Sequence, residues 1–358
     1  MWKSLKDRAE GVKEMKRMQT TEAVGQVLCH DITQIIPGVT KDAVFRKGHI
    51  IREEDIPVLL SVGKDSVYIW ENDETMMHEN DAAEVLYRMT ANEHMHPSDV
   101  KEGKIEAIAD TEGLLKVDRE KLKKVNAFGE MMIATRHGNT VVKKGDKLAG
   151  TRIIPLVIKK DKMQEAEKIC DGTPILKILP FTVKKAAIIT TGNEVYHGRI
   201  KDAFTPVIEQ KIAEFGAEMM FHEIFDDNDR KITDGCLRAI EAGADIVFCT
   251  GGMSVDPDDK TPLAIKNTGA EMISYGSPVL PGAMFLLSYY RKGDKVIPIC
   301  GLPGCAMYNR RTIFDLVLPR LMAADPVTAD ELASLGEGGL CLNCKVCTFP
   351  NCGFGKGW

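Results

Sequence analysis

From Thr182 onward, short apolar runs alternate with amphipathic stretches at a regular pitch, and no other feature restricts the fold of this chain as tightly. Ala186-Ala187-Ile188-Ile189-Thr190-Thr191, Met219 to Phe225 and Asp245 to Thr250 are short and apolar enough for strands covered on both faces. Between them, Pro206 to Phe215 and Arg230 to Ala242 have helical spacing, the second with Ile232, Cys236, Leu237 and Ile240 on one face. Strands and helices of these lengths in alternation imply right-handed βαβ units on a parallel sheet. The expected class is therefore α/β, a three-layer parallel-sheet domain over residues 182–325. Its ligand belongs beyond the carboxyl ends of the strands.

Four polar or glycine-rich loops leave those strand ends: Asn193-Glu194, Asp226-Asp227-Asn228-Asp229, Gly251 to Asp259, and Gly301-Leu302-Pro303-Gly304 after the strand Lys295 to Cys300. The stretch Thr250 to Pro262 joins a glycine turn to three carboxylates, Asp256, Asp258 and Asp259. Its glycines let backbone N–H groups approach an anion, and its carboxylates suit a divalent cation or a general base. Asp, Pro and Gly also make ordinary surface turns, and Glu194 is open to the same reading. Asp202 can cap a helix near Thr205, and Asp226 and Asp227 are expected to cap the next one. Thr261 and Pro262 fit the cap and first turn of a helix over Leu263 to Lys266.

With 358 residues and 44% apolar composition, the chain can bury more than one core. Residues 1–181 carry short apolar segments and many turn signals, which predict a β-rich or α+β domain. Val24 to Leu28 and Ile153 to Ile158 read as its clearest strands, Asn80 to Ala91 and Glu53 to Val62 as helices, and Lys121 to Lys124 as a solvated helix face. His94 and His96, with a single residue between them, lie apart on a helix, so a shared metal is not expected there. No run approaches the roughly 20 apolar residues that span a bilayer, and Met1 to Lys6 lacks the core of a signal peptide, so a cytoplasmic location is expected. A net charge of −5 leaves no basic footprint for nucleic acid.

Three of these stretches taken together carry a family resemblance. Thr190-Thr191-Gly192-Asn193-Glu194-Val195, Thr250-Gly251-Gly252-Met253-Ser254-Val255 and Gly301-Leu302-Pro303-Gly304 resemble the molybdopterin-binding domain of molybdopterin molybdenumtransferases, molybdopterin adenylyltransferases and CinA-type proteins. Asp259-Lys260-Thr261-Pro262 is similar to an Asp-x-Thr-Pro element of the last two groups. Glu22 to Leu28 and Arg46 to Ile51 are similar to the opening of molybdenumtransferases, although the stretch from Glu71 to Phe181 intervenes here. The resemblance implies binding of molybdopterin or adenylated molybdopterin by Thr191, Gly192, Asn193, Glu194, Gly251, Gly252, Met253, Ser254, Asp258, Thr261, Gly301, Leu302, Pro303 and Gly304. It implies Asp259 and Asp202 as the functional carboxylates, with Mg2+ and molybdate, in molybdenum cofactor biosynthesis. A CinA-like hydrolase of a nucleotide diphosphate such as ADP-ribose, or a carrier that holds the cofactor for a molybdoenzyme, are the alternatives. A homo-oligomer is also implied.

The tail, residues 326–358, is a separate signal. Cys341, Cys344, Cys347 and Cys352 follow C-x2-C-x2-C-x4-C spacing, with Gly338-Gly339 before them and Gly353, Gly355 and Gly357 after. Four thiolates so close can converge on one centre, and glycines let the chain wrap it. Two successive C-x2-C steps with Pro350 nearby suit a [4Fe–4S] cluster better than zinc, although bacterial ferredoxin spacing has three residues before the last Cys. Thiol chemistry on molybdenum or sulfur is a third option. The other six cysteines sit mostly in apolar surroundings and read as buried thiols.

Overall fold

The computed structural model describes residues 16–36, 40–69 and 74–357, so Met1 to Lys6 and the start of the Glu71 stretch lie outside the described residues. The chain divides into two compact units: residues 1–111, 117–136 and 143–177 in the first, and residues 112–116, 137–142 and 178–358 in the second. The cysteine-bearing tail lies within the second.

In the first unit, helices Glu79–Thr90, Arg119–Ala127 and Lys160–Cys170 accompany a four-stranded antiparallel sheet of Met95–Pro97, Lys104–Ala109, Lys147–Ile153 and Met131–Thr135. Two expected strands are corrected. Val24 to Leu28 is a turn, in which Gly25 adopts φ +81 and donates its N–H to the Ile51 carbonyl at 2.8 Å, followed by isolated bridges at Val27 and Leu28. Ile153 to Ile158 breaks after Ile153 and resumes at Val157, around Pro155, which has no N–H for a ladder.

The second unit is described with its own labels. Its elements are β1 (Lys185–Thr191), α1 (Asn193–Tyr196), α2 (Phe204–Ala213), β2 (Glu218–Phe225), α3 (Asp229–Glu241), β3 (Ile246–Thr250), α4 (Thr261–Asn267), β4 (Glu271–Tyr275), β5 (Leu286–Lys292), β6 (Lys295–Leu302), α5 (Ile313–Met322) and α6 (Ala329–Ser334). They build one six-stranded sheet in the order β2-β1-β3-β6-β5-β4. The period of two along each strand sorts side chains onto two faces. Ala186, Ile188, Ile246, Phe248, Cys300 and Leu302 pack against Ile208 and Ile212 of α2 and Phe314, Val317 and Leu321 of α5. Ala187, Ile189, Val247, Cys249 and Ile299 pack against Ile232, Cys236 and Ile240 of α3 and Ala264 and Ile265 of α4. Both faces are apolar, so helices must cover both, and three layers result.

The first four strands of that order run parallel, as the alternation requires. β5 and β4 then add an antiparallel edge that the periodicity did not place. A usable signal was present in Gly293-Asp294, the two-residue hairpin loop between Lys292 and Lys295, where Gly293 adopts φ +60. Among the described residues, no helix is long and apolar enough to cross a membrane.

Candidate functional site

β1 connects outward to β2, while β3 lies on the other side of β1, so the carboxyl ends of β1 and β3 form the switch point of the sheet. The Gly251-Gly252 turn sits there. Gly251 has φ +82, and a Cβ on it would lie 2.1 Å from the Thr191 carbonyl oxygen; Gly252 has φ +53, and its Cβ would lie 2.9 Å from Thr261 Oγ1. The turn is closed from below by hydroxyls. Thr191 Oγ1 donates to the Thr250 carbonyl (3.0 Å), Thr261 Oγ1 donates to the Gly251 carbonyl (2.8 Å), and the Thr261 N–H donates to the Gly252 carbonyl (3.2 Å). Thr191 and Thr261 are buried, so their side chains hold the loop and leave its outer surface to backbone groups.

Other residues of the expected ligand set divide by exposure. Met253 is buried over Gly301, where a Cβ would come within 2.5 Å of its sulfur, and Leu302 and Pro303 are buried at the end of β6. These three shape the floor. Glu194, Ser254, Asp258 and Gly304 are exposed, Asn193 and Gly252 are half-buried, and the space where a Gly304 side chain would stand is open. Tyr275 of β4 joins them unforeseen: its hydroxyl reaches the Met253 carbonyl at 2.9 Å and tethers the loop to the antiparallel edge. Thr250 Oγ1 is buried directly beneath the turn without a hydrogen-bond partner. Nothing in its residue type marks it; only the strand-end position does.

The carboxylates separate into two groups. Burial, and then the charges of Glu194, Asp258 and Asp259, push the Asp227 carboxyl above the usual aspartate range, although it accepts the Asn193 N–H at 3.1 Å. Those four acids therefore share one rim. Asp259 also braces the loop, accepting the Asp256 N–H at 3.0 Å, and burial, with the Asp259 charge second, raises the Tyr275 phenol. Asp202 lies apart from them in its contacts. It accepts the N–H groups of Phe204 (2.8 Å) and Thr205 (3.1 Å) and the hydroxyls of Thr190 (2.9 Å) and Thr205 (2.5 Å), which makes it the cap of α2. Burial alone would raise its pKa, but those hydrogen bonds hold it below the usual value.

The expected caps Asp226 and Asp227 are corrected: Asn228 caps α3 through the Lys231 N–H at 3.2 Å, while Asp226 pairs with the Lys231 ammonium at 2.8 Å. Asn228 immediately precedes the helix, the position from which a side-chain oxygen reaches the third N–H. His96 bonds Asp110 at 2.6 Å. Among the described residues, no group of three or more His, Cys, Asp or Glu side chains is placed to hold a single metal ion. Cys344 and Cys347 are exposed, and Cys341 and Cys352 half-buried.

In comparison with known proteins, residues 187–323 match the family described as probable molybdopterin binding domain, and residues 17–71 match a domain of unknown function (DUF8806). A Bacillus cereus (strain B4264) protein whose name describes it as competence-damage inducible is 30% identical over 129 residues, covering 36% of this chain and 30% of that protein. A second, from Bacillus subtilis (strain 168), is 32% identical over 85 residues, 24% of this chain and 20% of the relative. The chain thus spans less than a third of these relatives' length. Among solved structures, the tungsten cofactor synthesizing protein MoaB of Pyrococcus furiosus matches 40% of this chain and 98% of its own at 18% identity and TM-score 0.34.

Proposed function

We propose, from the place of residues 187–323 in the probable molybdopterin binding domain family, that this chain binds molybdopterin at the β1–β3 switch point and promotes molybdate insertion in molybdenum cofactor biosynthesis. One observation carries the reading: the Gly251-Gly252 turn is held by buried threonines in a conformation that admits no side chain, so backbone faces outward at a strand end. A phosphate or pyrophosphate needs that surface, and dipolar N–H groups can neutralise it without a basic side chain.

Backbone at Gly251, Gly252 and Gly304 would take the phosphate, Asn193 and Ser254 the polar edge of the pterin. The rim acids are hard oxygen donors whose mutual repulsion a dication relieves, so Asp258 and Asp259 would share Mg2+ with the oxygens of a pyrophosphate and screen its charge. Asp259, anchored to the loop at Asp256, has the fixed geometry needed to orient molybdate. The recipient would be a molybdoenzyme, and a homo-oligomer of this chain would supply it.

The test is molybdate-dependent release of AMP from adenylated molybdopterin, with Asp259→Ala as the variant. Loss of turnover with retained binding supports the assignment, and unchanged turnover sinks it. The element Asp258-Asp259-Lys260-Thr261, which resembles that of CinA-type proteins, supports a second reading, a diphosphate hydrolase. Cleavage of ADP-ribose with a divalent metal would establish that one, and a stoichiometric pterin complex without turnover would make the protein a carrier.

A further inference from the structure

The pterin site leaves the four tail cysteines unused, and the structure gives them a site of their own. Residues 336–357 form a loop whose two ends meet backbone to backbone. The Gly355 N–H donates to the Gly338 carbonyl at 3.0 Å, and the Cys341 N–H donates to the Leu280 carbonyl at 2.8 Å. A Cβ on Gly357 would lie 2.1 Å from the Glu337 carbonyl oxygen, and one on Gly338 would lie 2.8 Å from that of Gly353. Only glycine allows approach that close. Phe354 is buried, and Cys341, Phe349 and Cys352 pack against the core beneath α5. The tail is therefore built onto the domain.

Within this loop Cys341, Cys344, Cys347 and Cys352 line one cavity of about 250 Å3, together with Arg310 and Arg311. Four thiolates on one zinc, at about 2.3 Å from it, stand roughly 3.8 Å apart and leave room for nothing else. Here the four cysteines border a space larger than one ion. Such a space suits a polynuclear core held by four cysteines better than one ion. The surrounding charge agrees. Arg310 donates to the Lys345 carbonyl at 3.2 Å, inside the cysteine loop. Arg311 lies over the Phe349 ring at 4.8 Å, and its Nε is buried with no hydrogen-bond partner. Arg311 also pairs with Asp315 at 2.9 Å, and the two guanidiniums together place positive charge beside the four thiols, where an anionic centre is favoured.

We propose that Cys341, Cys344, Cys347 and Cys352 ligate an iron–sulfur cluster of the [4Fe–4S] class, with Arg310 and Arg311 offsetting its negative charge. Each thiol gives up its proton on ligation. The site is independent of the pterin reading.

The full chain, purified without oxygen, is assayed for iron, acid-labile sulfide and zinc and for visible absorption. The expected result is a brown protein with about four irons and four sulfides per chain, bleached by dithionite. Cys344→Ser, at an exposed position, should lose most of that iron while its far-UV circular dichroism stays unchanged. Arg310→Gln keeps the ligands and should lower the reduction potential of the bound cluster, because it removes a positive charge beside it. A colourless protein with one zinc per chain, a metal-free protein, or a Cys344→Ser variant with full iron content overturns the proposal.

Discussion

Gly251→Ala is the sharpest test of how the loop is built, because Gly269 supplies a matched control. Both glycines have φ +82. An alanine in that region costs about 1–2 kcal/mol from the left-handed backbone alone, and at Gly269 nothing lies within 4 Å of the added Cβ. At Gly251 the same atom would sit 2.1 Å from the Thr191 carbonyl oxygen, so the end of β1 must move. Overpacking of that kind costs a further 1–3 kcal/mol or so, which puts Gly251→Ala at about 2–5 kcal/mol in all. Urea titrations of the two variants, followed by circular dichroism, read the difference directly. Thr191 also holds Thr250 and faces Thr261, so displacing it should weaken pterin binding in Gly251→Ala and leave binding by Gly269→Ala intact. Equal destabilisation by the two substitutions would refute the reasoning, since it would mean that the close approach carries no energy.

Two further outcomes follow from single side chains. Asp202→Ala should destabilise the protein by about 1 kcal/mol at neutral pH as a lost helix cap. Because the folded pKa is depressed, that contribution is present above about pH 4 and fades as the pH falls through the lower folded value, so the gap between variant and parent should narrow in acid. A gap that widens in acid would contradict the hydrogen-bonding role. Thr250→Val keeps the shape and removes an unpartnered buried hydroxyl, so the free protein should gain on the order of 1 kcal/mol in thermal unfolding. Calorimetry should show weaker pterin binding by this variant; unchanged affinity would remove Thr250 from the site.

The layered α/β core was legible because it rests on period. Runs such as Ala186 to Thr191 and the face of Ile232, Cys236 and Ile240 encode strand and helix locally, and burial on both sheet faces leaves few ways to stack them. Glycines at 251 and 252 were legible for a related reason, since a turn at a strand end demands them wherever the chain goes. The failures lie where strand identity depends on the pairing a segment finds. Val24 to Leu28 has strand composition but finds only isolated bridges, and the β5–β4 edge depends on pairing to β6.

The sequence alone determined the α/β class of residues 182–325, the loops gathered at one rim and the clustering of four cysteines, all of which follow from local spacing. Tertiary structure decided which members of those sets are free to act. It turned Thr191 and Thr261 inward as braces, spent Asp202 on the α2 cap, drew Asp227 to Glu194, Asp258 and Asp259, and opened a cavity among the cysteines. The physical reason is that a polar side chain can cap, brace or bind a ligand. That choice depends on which donors and charges the fold brings within about 3 Å, a distance that spacing along the chain does not contain.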